Sequence, residues 1–348
     1  MAVGGQRDIF IGRTSKMSRS DRRRAAAGNA PAVPISASPP GGRRSLILPE
    51  YLEVADSVLE RREEETALRR EKFVRINLAD RSMQTVFQPI VDLRTGGTVG
   101  AEALSRFTAP PFRAPDVWFA EAAELGLGTE LEVTALRSAL EQLAMLPSGL
   151  YLSINASPAT IVSPEFRTAM AAIPAERVVL ELTEHTGVDD YHLFGEAIAE
   201  LRSNGLRLAV DDAGSGFSSF RHILNLRPDI IKLDIALTRG IDTDPARRAL
   251  GSAMLAFGLD AYNASIVAEG VETKSELTTL QGLGCHYGQG YYLGRPAQMS
   301  VLPRQMSQSG ASPTPVLRRS TFDPDLVVTP VAAELEERRQ QAKRTSAR

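Results

Sequence analysis

Cysteine occurs once in 348 residues, at Cys285. That excludes an internal disulfide, and it excludes a metal site built from thiolates. Histidine is scarce as well: His185, His192, His222 and His286 show no paired ligand spacing. No apolar run reaches the ~20 residues a membrane-spanning helix needs. No lysine-bearing P-loop is present, so nucleoside triphosphate binding has little support. Arg22, Arg23 and Arg24 are adjacent, but no apolar stretch follows them. An export signal is therefore not expected there, and a cytoplasmic location is.

What is present fits a soluble globular chain, with 43% hydrophobic and 24% charged residues. The net charge of −2 conceals an asymmetry. Residues 1–48 carry nine Lys/Arg against two acids, and residues 299–348 carry eight against five. The ends thus hold +7 and +3, and the middle holds −12. An acidic body disfavours stable nucleic-acid binding, which needs a positive surface. Residues 1–48 lack periodicity and read as a disordered basic segment, and 299–348 as a mostly disordered tail. Residues 49–77 read as a helical linker, with Leu52, Val58, Leu59, Leu68, Phe73 and Ile76 as an incomplete apolar stripe. The segment is expected to be a solvated helix packed on a domain edge. A dimerisation or signal-relay helix, and with it a homodimer, is the alternative.

Between these lies a rhythmic block at 78–298. Eight short β-rich runs alternate with helical patterns at Val117–Leu146, Asp190–Asn204, Pro245–Tyr262 and Lys274–Leu283. Alternation of this kind implies a parallel sheet. Its length suits a closed (β/α)8 barrel. One connection differs. "DLRTGGTVG" leaves only a tight turn between the first two strands, and so short a turn joins antiparallel neighbours. The expectation is a TIM-like α/β barrel with its first strand antiparallel.

The strands end on polar residues: Glu102, Asn155, Glu181, Asp211 with Asp212, Lys232, Glu269 and Gln289. In a parallel barrel those ends meet at one mouth, where active sites of this architecture lie. In "LAVDDAGSGFSS" the two adjacent aspartates serve one place only if the strand ends or bulges there, because neighbouring side chains point to opposite faces. The mouth's five acids, offset by Lys232 and Arg106, leave −3, and so many clustered carboxylates do not all stay ionised unaided. An all-oxygen donor set selects hard cations such as Mg²⁺ or Mn²⁺, and two of them would bring the site to +1. That suits an anionic phosphodiester.

The motifs "EALSR", "SINAS", "ELTE", "DDAGSGFSS", "IIKLD", "AEGVET" and "GQGYYLGRP" follow one another in order. Together they resemble the EAL domain of bacterial cyclic di-GMP phosphodiesterases, across about the whole 78–298 block. The resemblance implies two Mg²⁺ or Mn²⁺ ions and hydrolysis of cyclic di-GMP to linear pGpG. By motif, Glu102, Asn155, Glu181 and Asp211 resemble ligands of one ion, and Asp212 helps hold the second. Glu269 resembles the acid supporting the metal-and-water shell. Lys232 resembles the residue that orients or deprotonates the attacking water, and Gln289 a contact near that water. Arg106 resembles the arginine that meets a ligand phosphate, Glu184 the anchor of the 213–219 loop, and Glu272 an acid behind the site. Ala213 stands where an aromatic is usual and Ser105 where an apolar residue is usual; neither removes a catalytic group. The alternative in the same family is a non-catalytic cyclic di-GMP receptor or a protein-interaction scaffold. No expected ligand is missing here, and no synthase signature of the "GGDEF" kind accompanies the block.

Overall fold

The structure, a computed structural model, describes residues 49–301 apart from 80, 81, 183–187, 189, 215 and 216. The segment 1–48, nearly all of the 299–348 tail, and Glu184 lie outside the described residues. The chain divides into two units, Met1–Val58 and Leu59–Arg348.

Eight strands close a barrel in sequence order: β1 (Met83–Asp92), β2 (Thr98–Phe107), β3 (Tyr151–Ala156), β4 (Val178–Leu182), β5 (Arg207–Ala213), β6 (Ile230–Leu233), β7 (Ser265–Ala268) and β8 (Tyr287–Gly288). Neighbours from β2 to β8 run parallel, whereas β1 is antiparallel to both β2 and β8. The reversal follows from the short turn the sequence allows. Asp92 Oδ1 accepts from the N–H groups of Arg94 and Thr95, and Gly96 takes φ +75°, which glycine adopts without strain.

Each strand contributes one side chain to an apolar layer inside the barrel: Ile90, Val99, Tyr151, Val179, Ala209, Ile230, Val267 and Tyr287. On β4, β5 and β6, and just past the end of β7, the residue two positions further on is polar or charged: Glu181, Asp211, Lys232 and Glu269. The strand period of two therefore stacks a polar layer on an apolar plug. Outside the wall, the helices pack on two further cores, one around Leu152, Leu180 and Phe194 and one around Ile231, Leu255 and Ile266.

The principal helices are α1 (Pro49–Ala79), α2 (Pro115–Glu124), α3 (Gly128–Leu140), α4 (Tyr191–Ser203), α5 (Phe217–Leu226), α6 (Pro245–Tyr262) and α7 (Lys274–Gly282). No helix among the described residues is long and apolar enough to cross a membrane. The single helix expected at Val117–Leu146 is two helices. Gly126 takes φ +74°, Leu127 N–H turns back to Ala122 O at 2.8 Å, and α3 starts afresh at Gly128. The last turns of α1 bury Val74 against Met83, Phe107, Trp118 and Leu131. Arg70 of α1 is bonded to Glu121 and Glu124 of α2.

Candidate functional site

Three features of the wall deliver polar side chains to one end. First, β2 pairs with β1 along its whole length but with β3 only over Gly100–Glu102. Glu102 is thus the last β2 residue in the closed wall, although the strand itself runs on to Phe107 as a hairpin arm. Second, the β5–β6 register shifts between Val210 and Ala213, and Asp212 takes φ +54°. This is the bulge that two adjacent aspartates require. It falls on the aspartates themselves rather than on Gly214, which follows at φ +105°. Asp212 N–H donates to Asp211 Oδ1 at 2.8 Å, an internal brace. Third, β8 is short, so Gln289 lies just past it, held by its N–H to Ala268 O.

Lys232 is the centre of the polar layer. Its ammonium is buried and donates to Glu181 Oε2 at 2.7 Å. It lies 2.7 Å from Glu269 Oε1, 3.3 Å from Asp211 Oδ1 and 3.6 Å from Glu102 Oε2. Four carboxylates share one cation. Burial alone would lower the lysine pKa, but the carboxylates hold it well above its ordinary value. Glu181 is pushed up to about 8, first by burial and then by the charge on Glu102. Glu269 is held well above the carboxylate range by burial and by Asp211. Glu102 goes the other way. Burial opposes its charge, but Lys232 and the amides of Gln289 and Asn155 outweigh burial and lower it. One lysine leaves this cluster short of positive charge.

The amides are arranged around the acids. Asn155 Nδ2 donates to Glu102 Oε1 at 2.9 Å, and Gln289 Nε2 donates to Glu102 Oε2 at 2.7 Å. Ser153 donates to Glu181 Oε1. A cavity of about 470 Å³ opens beside this cluster. Arg106, Asn155, Asp211 and Asp212 line its polar part, and Phe119, Ala123 and Leu136 an apolar part against α2 and α3. Carboxylate oxygens of Asp211, Asp212 and Glu269 all lie within 4.8 Å of one another. These donors fit a hard divalent cation, because every one is an oxygen.

Of the residues singled out by sequence, Glu102, Asn155, Glu181, Asp211, Lys232, Glu269 and Gln289 lie in one hydrogen-bonded and ion-paired cluster. Asp212 and Arg106 line the adjoining cavity. Glu272 is exposed and ion-paired with Arg239. Two partners of the cluster are absent from the sequence reading. Gln88, on β1, stands opposite Glu102 in register and accepts from Gln289. Ser153 is fully buried under Glu181. Each was visible as a polar residue inside an apolar strand, "VFQPIV" and "YLSI". Cys285 is buried, with its thiol pushed up to about 12 by burial.

The EAL domain family model matches residues 71–296, and the chain belongs to that family. A probable cyclic di-GMP phosphodiesterase of Escherichia coli, PdeD, is 28% identical over 72% of this chain and 48% of its own length. A cyclic di-GMP phosphodiesterase of Pseudomonas aeruginosa is 32% identical over 64% of this chain and 39% of its own length. The chain therefore matches under half of either relative. Among solved structures, a PaMucR phosphodiesterase in complex with c-di-GMP superposes with a TM-score of 0.60 at 28% identity, covering 67% of this chain and 99% of that one.

Proposed function

We propose that this chain is a cyclic di-GMP phosphodiesterase that opens one phosphodiester of the ring with water to give linear pGpG. The observation that carries the reading is the closed set of oxygen donors around Lys232, with its deficit of positive charge, beside a cavity reached by Arg106. Glu102, Asn155, Glu181 and Asp211 would hold one Mg²⁺ or Mn²⁺, and Asp212 the second. Bound there, the two ions would supply compensating charge and would lower the pKa of a bound water.

The chain's own groups do the rest. Arg106 offers a planar, always-charged fork that suits a phosphate better than a point charge would. Lys232, between Glu181 and Glu269 at 2.7 Å from each, is a donor, so its role is to hold these acids and orient water rather than to take a proton. Glu269 supports that water. Glu272, ion-paired with Arg239, would act from behind the site, and Glu184 is proposed by its motif alone as the anchor of the 213–219 loop. Homodimerisation is compatible with this chemistry but not required by it.

The test is by substitution. Glu102→Ala and Asp211→Ala are each expected to lower turnover of cyclic di-GMP by at least about 100-fold. Cys285→Ser, which touches no proposed group, is expected to stay within about threefold of the wild type. Near-normal turnover in both acid variants would refute the assignment. Binding of cyclic di-GMP in Mg²⁺ and Mn²⁺ with no product in either would make the protein a receptor.

A further inference from the structure

Two acceptor-only groups bracket the side-chain amides of Gln88 on β1 and Gln289 just past β8. One is the Glu102 carboxylate, and the other is the backbone carbonyl of Gly294. Gln88 Nε2 donates to Gly294 O at 3.1 Å. Gln88 must then turn its carbonyl the other way, and Oε1 accepts from Gln289 Nε2 at 3.1 Å. Gln289 spends its second N–H on Glu102 Oε2 at 2.7 Å. Both donors of the Gln289 amide are now used, which leaves Oε1, and that oxygen is buried with no hydrogen-bond partner. Reversing either amide would set N–H₂ against N–H₂ or carbonyl against carbonyl, so the network allows one orientation.

The carbonyl that starts this chain is itself fixed. Phe87, the neighbour of Gln88, exchanges two backbone hydrogen bonds with Ala297, at 2.7 and 3.0 Å. Gly294 lies so close to Pro89 that an added Cβ would stand 2.2 Å from the proline ring. Gln88 and Gln289 are only 8% and 4% exposed, which limits competition from water for these bonds.

We infer that Gln88 is a positioning residue. Through the chain from Gly294 O to Gln88 to Gln289 to Glu102, it fixes the Gln289 amide with Nε2 on the Glu102 carboxylate, and so holds that carboxylate in place as an acceptor in the polar layer. Its effect on turnover rests on the phosphodiesterase reading, but the orientation of the amide does not.

Gln88→Met keeps the side-chain length and removes both hydrogen bonds. It is expected to lower kcat about 10- to 100-fold while KM for cyclic di-GMP stays within about threefold. In a Gln289→Met background the same change is expected to cost less than about threefold more, because the two act as one unit. A kcat at the wild-type level, or equal losses with and without Gln289, would overturn the inference. A second readout needs no turnover. In the wild type, the Gln289 side-chain amide protons should exchange with solvent far more slowly than those of exposed glutamines. In Gln88→Met that protection should fall at least about tenfold. Unprotected Gln289 protons in the wild type would refute the relay even if the variant fails to fold. Protected protons in a wild type without turnover would instead keep the relay and reject the phosphodiesterase.

Discussion

Asp212 holds a left-handed backbone, φ +54°, next to Asp211 on the same bulge. Aspartate and asparagine tolerate this region better than residues without a short polar side chain. Charge and conformation can therefore be separated at this position. Asp212→Asn should fold with a melting temperature close to the wild type and still lose turnover at least about tenfold, because only the charge is gone. Asp212→Ala should lose turnover and about 1 kcal/mol of stability as well. Thermal melts beside turnover decide this, and full activity in Asp212→Asn would remove Asp212 from the site. The need for a bulge was legible in the "DD" pair, since a regular strand separates neighbours. Its position was not legible, because the glycines that follow are equally permissive. Gln88 was missed for a related reason. A lone amide in an apolar run means nothing until the register sets it opposite Glu102.

The elements that assemble the site depend on close backbone approach. At Gly290, just beyond β8, an added Cβ would lie 2.2 Å from both the N and the O of Val271. Backbone cannot give way as a side-chain end can. Gly290→Ala should cost several kcal/mol, of the order seen for overpacked cores, and displace Gln289 with it. Gly195, inside α4, meets nothing within 4 Å, so Gly195→Ala should stabilise by about 0.5–1 kcal/mol. Chemical denaturation of both variants measures the contrast; equal effects would contradict it. At this scale the eight strands and the reversed first strand were readable from hydrophobic runs and one short turn. The break at Gly126 was not, because its cause is a left-handed glycine inside a pattern that stays helical on both sides. The β2 arm beyond Glu102 was hidden too: where a strand leaves the wall depends on its neighbour's length, not on its own residues.

Across the molecule, α2 stands between two tasks. Glu121 takes both Arg70 of α1 and Arg113, whereas Phe119 and Ala123 line the cavity. Glu121 is buried and both arginines are about one-third exposed, so removing the acid leaves two partly desolvated cations. Glu121→Ala should destabilise by about 1–3 kcal/mol in denaturant while turnover at 25 °C changes little. A large loss of turnover without loss of stability would show that this network controls the cavity instead. One assay addresses the chemistry of the site directly. The purified chain is incubated with cyclic di-GMP and Mn²⁺, with and without excess chelator, and the products are separated by chromatography. Linear pGpG that accumulates with Mn²⁺ and disappears with chelator is the predicted result. Intact cyclic di-GMP under both conditions, or pGpG formed equally in the presence of chelator, would contradict the account.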